Sequence, residues 1–159
     1  MGKGGIVLGI FALILGASGL AFGLITWIDQ GKTDFWYDYK EDIYTPPYLE
    51  YVTIPDLYVI VKLDTSSTVH LLFTTSTRIL PDPIGFADMF FYFWIDGVRL
   101  LNPFTRAGPY QGDATYQYYP VALQHSQILS AGSHNITIVV ISEKAGNFMR
   151  SSGLAVTRY

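Results

Sequence analysis

Met89-Phe-Phe-Tyr-Phe-Trp-Ile95, then Asp96-Gly97, then Val98-Arg-Leu-Leu101 reads as a β-hairpin with a two-residue turn. Aromatic side chains fit the pleated, half-buried surface of a strand, and Asp and Gly accept the positive φ angles of a type I′ turn. The first arm does not alternate apolar with polar residues. Whichever side faces a core, the other presents rings as well, so this strand is expected to be covered on both faces, by a loop of its own chain or by a neighbouring subunit. On that reading Met89, Phe91, Phe93 and Ile95 are candidates for an oligomer interface.

On both sides of the hairpin the chain continues in the same style. Leu57 to Leu63, Thr68 to Thr75, Tyr116 to Leu123, His134 to Ser142 and Gly153 to Tyr159 are rich in β-branched and aromatic residues, with Gly, Pro, Asp and Ser between them. No long helical period interrupts them. Seven or eight strands in about a hundred residues predict a mainly β chain, a single jelly-roll β-sandwich over residues 52–159. Half of the 159 residues are apolar and 14% are charged, against about 25% in ordinary soluble domains. The absence of cysteine removes disulfides, thiolate catalysis and Cys-ligated zinc. A net charge of -3, with ten Lys and Arg scattered along the chain, supplies no basic field for a phosphate backbone and argues against nucleic acid as a partner.

The amino-terminal segment is of another kind. Between Lys3 and Asp29 nothing is ionisable, and Gly4 to Ile28 as a helix spans roughly 35 Å, enough for a hydrocarbon core of ~30 Å. Lys3 before it and Asp29, Asp34 and Asp38 after it orient the amino terminus to the cytoplasm and the rest outside. The competing reading is a secretory signal, with Ile6 to Ala17 as its apolar region and Gly19-Leu20-Ala21 as its cleavage site. Lys3-Gly4 before an apolar helix also resembles the layout of archaeal type IV pilins. Gly2, Gly9, Gly16 and Gly23 recur every seven residues, and Gly5, Ala12, Gly19 and Thr26 follow each by three. Small residues at both heptad positions let helix backbones approach closely in lipid, and a seven-residue period implies a left-handed supercoil. This predicts a packing seam for a parallel homo-oligomeric stalk over residues 1–28.

Residues 29–51 carry eight charges, Gly31 and Pro46-Pro47, and are expected to form an aromatic and proline-rich neck packed on the domain. Trp27, Phe35, Trp36, Tyr37 and Tyr39 stand where an aromatic belt meets outer headgroups, and Tyr44, Tyr48 and Tyr51 flank the Pro-Pro step.

Catalytic constellations are wanting. His70, His125 and His134 lie on separate predicted strands without metal-ligand spacing, and Ser66, Ser67, Ser76, Ser130, Ser133, Ser151 and Ser152 sit in turn-like contexts outside any nucleophile elbow. Asp82, Asp88, Asp96 and Asp113 are not arranged as a calcium loop. No cofactor and no metal is expected. The segment Asn102 to Pro120 reads as a long loop, and its Tyr110, Tyr116, Tyr118 and Tyr119 are recognition candidates for glycans or a surface partner. Asn135-Ile136-Thr137 is a glycosylation sequon on the outer side.

Four stretches then carry a resemblance: Tyr92 to Gly97; Leu123 to Gly132 as LQHSQILSAG; His134 to Val140; and Ser151-Ser-Gly-Leu-Ala-Val156. Together they are similar to the closing strands of C1q and tumour-necrosis-factor-like jelly rolls, including those on phage and archaeal surface proteins. The first half of the domain carries no such match. The resemblance implies a homotrimer with aromatic residues at its three-fold axis. The sequence thus points to a non-enzymatic surface protein of structural or adhesive role, a homo-oligomer held at the membrane by its amino-terminal helix. Two alternatives stay open, the subunit of an extracellular pilus-like filament with helices in the fibre core and a virion membrane or spike protein.

Overall fold

A computed structural model describes residues 34–81, 87–108 and 116–158. They form eight strands: β1 (Phe35–Lys40), β2 (Val52–Leu63), β3 (Ser67–Ile79), β4 (Met89–Ile95), β5 (Val98–Ala107), β6 (Gln117–Leu129), β7 (Gly132–Ser142) and β8 (Phe148–Arg158). Pairing is antiparallel throughout and nested, β4 with β5, β3 with β6, β2 with β7 and β1 with β8. The chain is in effect one long ribbon folded at the β4–β5 turn. Cross-links β3–β8 and β4–β7 roll that ribbon into two sheets, ordered β1-β8-β3-β6 and β2-β7-β4-β5. This is the jelly roll expected from the strand pattern.

The turn at the ribbon's tip has φ of 51° at Asp96 and 85° at Gly97, the left-handed pair that a type I′ hairpin requires. Between the sheets, β3 points Val69, Leu71, Phe73 and Ile79 inward and β4 points Met89, Phe91, Phe93 and Ile95 inward, all buried. Phe73 and Phe91 meet across the core with ring centroids 5.6 Å apart. The β2 register slips between Thr53 and Tyr58, and the Thr137 hydroxyl donates to the Leu57 carbonyl inside that irregularity. Fully buried Asn147 accepts from the Leu80 amide at 2.8 Å and donates to the Ala87 carbonyl at 3.0 Å. One amide thus fixes both chain ends that flank residues 82–86.

Three expectations are corrected here. The domain begins with Phe35 rather than Val52, because β1 pairs with β8 along its whole length; Tyr44 and Tyr48 then bridge to Met149 and Ser142. The expected loop at Asn102 to Pro120 is strand at both ends, since β5 extends to Ala107 and β6 starts at Gln117. Pro103 on β5 and Pro120 on β6 each sit on an edge strand of their sheet, where a missing amide donor is tolerated. Met89, Phe91, Phe93 and Ile95 are sandwich core and not an oligomer surface, because each faces the opposite sheet and is at most 7% exposed. The glycine seam (Gly2, Gly5, Gly9, Ala12, Gly16, Gly19, Gly23, Thr26) and Trp27 lie outside the described residues. Among the described residues no helix is long and apolar enough to cross a membrane.

Candidate interaction surfaces

The outer side of β4 carries Phe90, Tyr92 and Trp94, all half-buried. What covers them is their own chain: Phe104 of β5 lies 6.1 Å from Phe90 and 5.7 Å from Tyr92, and Tyr51 meets Tyr92 edge-on at 6.0 Å. The Arg99 guanidinium rests 3.9 Å from the Tyr51 ring centroid, a cation–π contact that shields this ring cluster further. Burial raises the Tyr92 phenol's pKa, reinforced by Tyr51. Of the two covers expected for a strand aromatic on both faces, its own chain supplies one, and no neighbouring subunit is required here.

The other sheet exposes a different arrangement. On β1, Phe35, Tyr37 and Tyr39 point outward as a ladder, with centroids 6.2 and 6.4 Å apart and planes within 14° of parallel. They remain 37%, 56% and 44% exposed. Beside them on the same face β8 carries Gly153, Ala155 and Thr157, their partners in register, all three buried. Tyr37 leans over that strip, and a Cβ at Gly153 would lie 3.3 Å from its hydroxyl. Burial raises the Tyr37 pKa, with Tyr39 and Asp38 adding to the effect. Beyond β8, the β3 residues His70, Leu72 and Thr74 stand opposite Thr157, Ala155 and Gly153. The result is a face with three part-exposed rings along its edge and buried small residues beside them.

Between the edges of the two sheets a groove of about 410 Å³ is lined by Trp36, Tyr37, Asp38, Asp56, Tyr58, Val59 and Ile60. Asp38 stitches it, accepting the Tyr39 amide at 2.9 Å and the Tyr58 amide at 2.8 Å. Lys40 closes one end on Asp56 at 3.3 Å. The carboxylates are thus engaged in joining the edges.

The tyrosines expected to form a recognition loop are divided. Tyr110 lies outside the described residues. Tyr119 packs against the core and its hydroxyl donates to Gln117 at 2.7 Å, whereas Tyr116 and Tyr118 are more than half exposed on the outer face of the first sheet. Both serve arginines that the sequence reading passed over, Arg78 lying over the Tyr116 ring and Arg150 standing 5.7 Å from that of Tyr118. Their outward parity within β3 and β8 was the available signal.

No family model and no curated protein matches this sequence. Among solved structures, the Eiger tumour necrosis factor of S. frugiperda superposes with a TM-score of 0.53 at 6% identity, over 80% of this chain and 92% of that one. The two share the jelly-roll architecture. The globular domain of zebrafish complement 1qA protein gives a TM-score of 0.46 at 10% identity, over 80% of this chain and 96% of that one. A CBM36-1 domain of a multidomain xylanase from the hindgut metagenome of Trinervitermes trinervoides gives 0.39 at 11%, over 77% and 96%. Only the first lies above the similarity at which shared architecture follows.

Within this jelly roll the histidines serve local bonds. His70 pairs with Ser126 at 3.2 Å and His125 with Gln127 at 3.1 Å; burial, and then His125, lowers the His70 pKa. His134 is held between Asp96 at 2.6 Å and the Ser130 carbonyl at 2.9 Å, tying the β4–β5 turn to the β6–β7 turn. Asp88 is buried beneath Gly108, while Asp82 and Asp113 fall outside the described residues. No three metal-ligating side chains gather among the described residues. Asn135 is exposed on the outer face of the second sheet, opposite Ile60.

Proposed function

We propose that this chain is a non-enzymatic, extracellular surface protein that works as a homotrimer, its β-domain displayed by the glycine-seamed segment 1–28. The observation that carries the reading is the Phe35–Tyr37–Tyr39 ladder beside the Gly153, Ala155 and Thr157 strip. Three outward rings in one row leave apolar area in water that a second copy removes, at a gain of roughly 25 cal/mol per Å² buried. The resemblance to tumour necrosis factor and C1q domains supplies the stoichiometry, and this face takes over the role first assigned to Met89, Phe91, Phe93 and Ile95. A seven-residue seam in parallel chains agrees with assembly on a common axis.

The test is light scattering of the β-domain unit Phe35–Tyr159. A trimer mass in the native domain, falling to a monomer on Tyr37→Arg with an unchanged circular dichroism spectrum, supports the reading. A well-folded native monomer at micromolar concentration refutes it. The same seam also supports a filament with helices in the fibre core; electron microscopy of the full chain separates discrete particles from fibres. In either assembly, Gly9→Leu, Gly16→Leu and Gly23→Leu together should loosen crosslinked oligomers of the full chain, because large side chains force the backbones apart.

A further inference from the structure

On the outer face of the first sheet, at the end away from the aromatic ladder, two arginines lie side by side with no ion-pair partner among the described residues. Arg78 of β3 stands directly opposite Phe148 of β8 on one side and Tyr118 of β6 on the other. Its guanidinium lies over the Tyr116 ring and 5.1 Å from the Phe148 centroid. Arg150 of β8 is opposite Ser76, so it is a diagonal neighbour of Arg78 on the same face. Its guanidinium reaches across β3 to within 5.7 Å of the Tyr118 centroid. Tyr118 is also the cross-strand partner of Arg78, so the two cations converge on one small area. Neither forms an ion pair with any carboxylate among the described residues. The Nε of Arg78 is buried without a hydrogen-bond partner.

Like charges gathered in this way repel, and ring faces offset only part of that cost. What the rings do supply is orientation. A guanidinium held flat by stacking keeps its fork of N–H donors in one plane, the geometry that grips a planar or tetrahedral oxyanion by two bonds. Tyr116 and Tyr118 are 51% and 57% exposed, so each retains ring surface for an apolar partner. Together the features fit a ligand with a negative oxygen group on a saturated ring.

We propose that Arg78, Arg150, Tyr116 and Tyr118 form a binding site for an acidic sugar, a uronate or a sulfated saccharide, with the arginines taking the oxyanion and the tyrosines stacking on the C–H face of the ring. The site is independent of the oligomeric state proposed above. Its test is calorimetric titration of the full chain with oligogalacturonate, with the methyl-esterified neutral form of the same oligosaccharide, with a sulfated heparin fragment, with polyglutamate and with inorganic sulfate. One of the two acidic saccharides should bind, with affinity falling as salt rises. The neutral ester should bind at least about tenfold more weakly, the loss expected for one charged hydrogen-bonded contact. Arg150→Gln should cost a similar factor at unchanged melting temperature, since that residue is exposed. Arg78→Lys should also weaken binding, because it keeps the charge and loses the planar fork; Arg150→Gln decides the matter if this second variant fails to fold. The proposal is overturned if neither saccharide binds, if the neutral ester binds equally, or if Arg150→Gln changes nothing. Equal affinity for polyglutamate would replace the sugar by an acidic protein, and equal affinity for sulfate would reduce the site to a simple ion trap.

Discussion

Replacing His134 by alanine measures how much of the domain's stability rests on a charged staple between two turns. The imidazole has an acceptor on each side, the Asp96 carboxylate 2.6 Å from Nδ1 and the Ser130 carbonyl 2.9 Å from Nε2. A carbonyl has no proton to give, so Nε2 donates, and the ionised carboxylate requires Nδ1 to donate as well. Only the imidazolium carries both N–H groups. The bond to Asp96 first, and then that to Ser130, raises the His134 pKa against the opposing effect of burial. For Asp96, burial acts upward, but the bonds from His134 and from the Asn135 amide outweigh it and hold the carboxyl below its usual range.

Hydrogen bonds to charged groups contribute about 1.5–3 kcal/mol. The His134 side chain is 10% exposed and that of Asp96 46%, so solvent at the carboxylate screens part of the attraction, and an expected cost of about 2 kcal/mol at acidic pH is reasonable. In a domain of this size that corresponds to a melting temperature lower by roughly 6–12 °C. The pH dependence gives the decisive sign. His134 is raised from 6.5, so its stabilisation is complete below 6.5 and is lost as pH rises through the higher folded value. Asp96 is lowered from 3.8, so its stabilisation is present above 3.8 and is lost as pH falls through the lower folded value. The staple is strongest between these limits. Thermal melts of native and His134→Ala protein at pH 5 and pH 9 should show a gap that is wider at pH 5, the remainder at pH 9 reflecting the packing of the ring. An equal gap at both pH values, or one that widens toward pH 9, would mean that the ring is neutral in the native domain and that the charge argument fails.

Two further perturbations concern the pocket of Asp88. Its residue is 6% exposed, Oδ1 has no partner and Oδ2 lies 3.6 Å from Arg106; burial raises its pKa and Arg106 only partly offsets this. A carboxyl raised in the folded state costs stability above its folded value and releases that cost as pH falls, so Asp88→Asn should stabilise by about 1 kcal/mol at pH 7 and give no gain at pH 3, read from urea midpoints. Gly108 has φ of +110° and a Cβ there would overlap Asp88 Oδ1, so Gly108→Ala should cost about 2 kcal/mol in the same urea assay.

What was legible in the sequence was what is local. Asp96-Gly97 announces its own backbone angles, and the long β-branched and aromatic runs announce strands wherever they occur. The inward side of β4 was not legible, since alternation is the signal that separates inside from outside, and a strand with rings at Phe90, Tyr92 and Trp94 as well as at Phe91 and Phe93 reads alike in either register. Strand β1 was missed for the opposite reason. Its inward positions are Trp36, Asp38 and Lys40, two of them charged, which reads as a solvated neck. The charges are admissible there only because β1 is an edge, where Asp38 accepts the Tyr58 amide across the gap between sheets and Lys40 reaches Asp56. Edges likewise explain Pro103 and Pro120, which break a strand pattern on paper and are tolerated on the outermost strands.

The nested pairing accounts for the rest. Because β1 closes on β8 and β3 lies between β8 and β6, the faces of the first sheet are built from positions far apart in the chain, as is the Asp96–His134 contact between turns. Arg78 and Arg150 belong to that class, as do Tyr37 and Gly153, and Asp96 and His134. No window of sequence contains both members of any of these pairs. The tyrosines of residues 102–120 are therefore visible in sequence as a cluster, whereas the arginines they stack upon are not. Once β3 and β8 are in register, Arg78 and Arg150 share a face with no carboxylate partner among the described residues, and this pair of oriented cations in a chain of net charge -3 is the ground for the anionic ligand proposed.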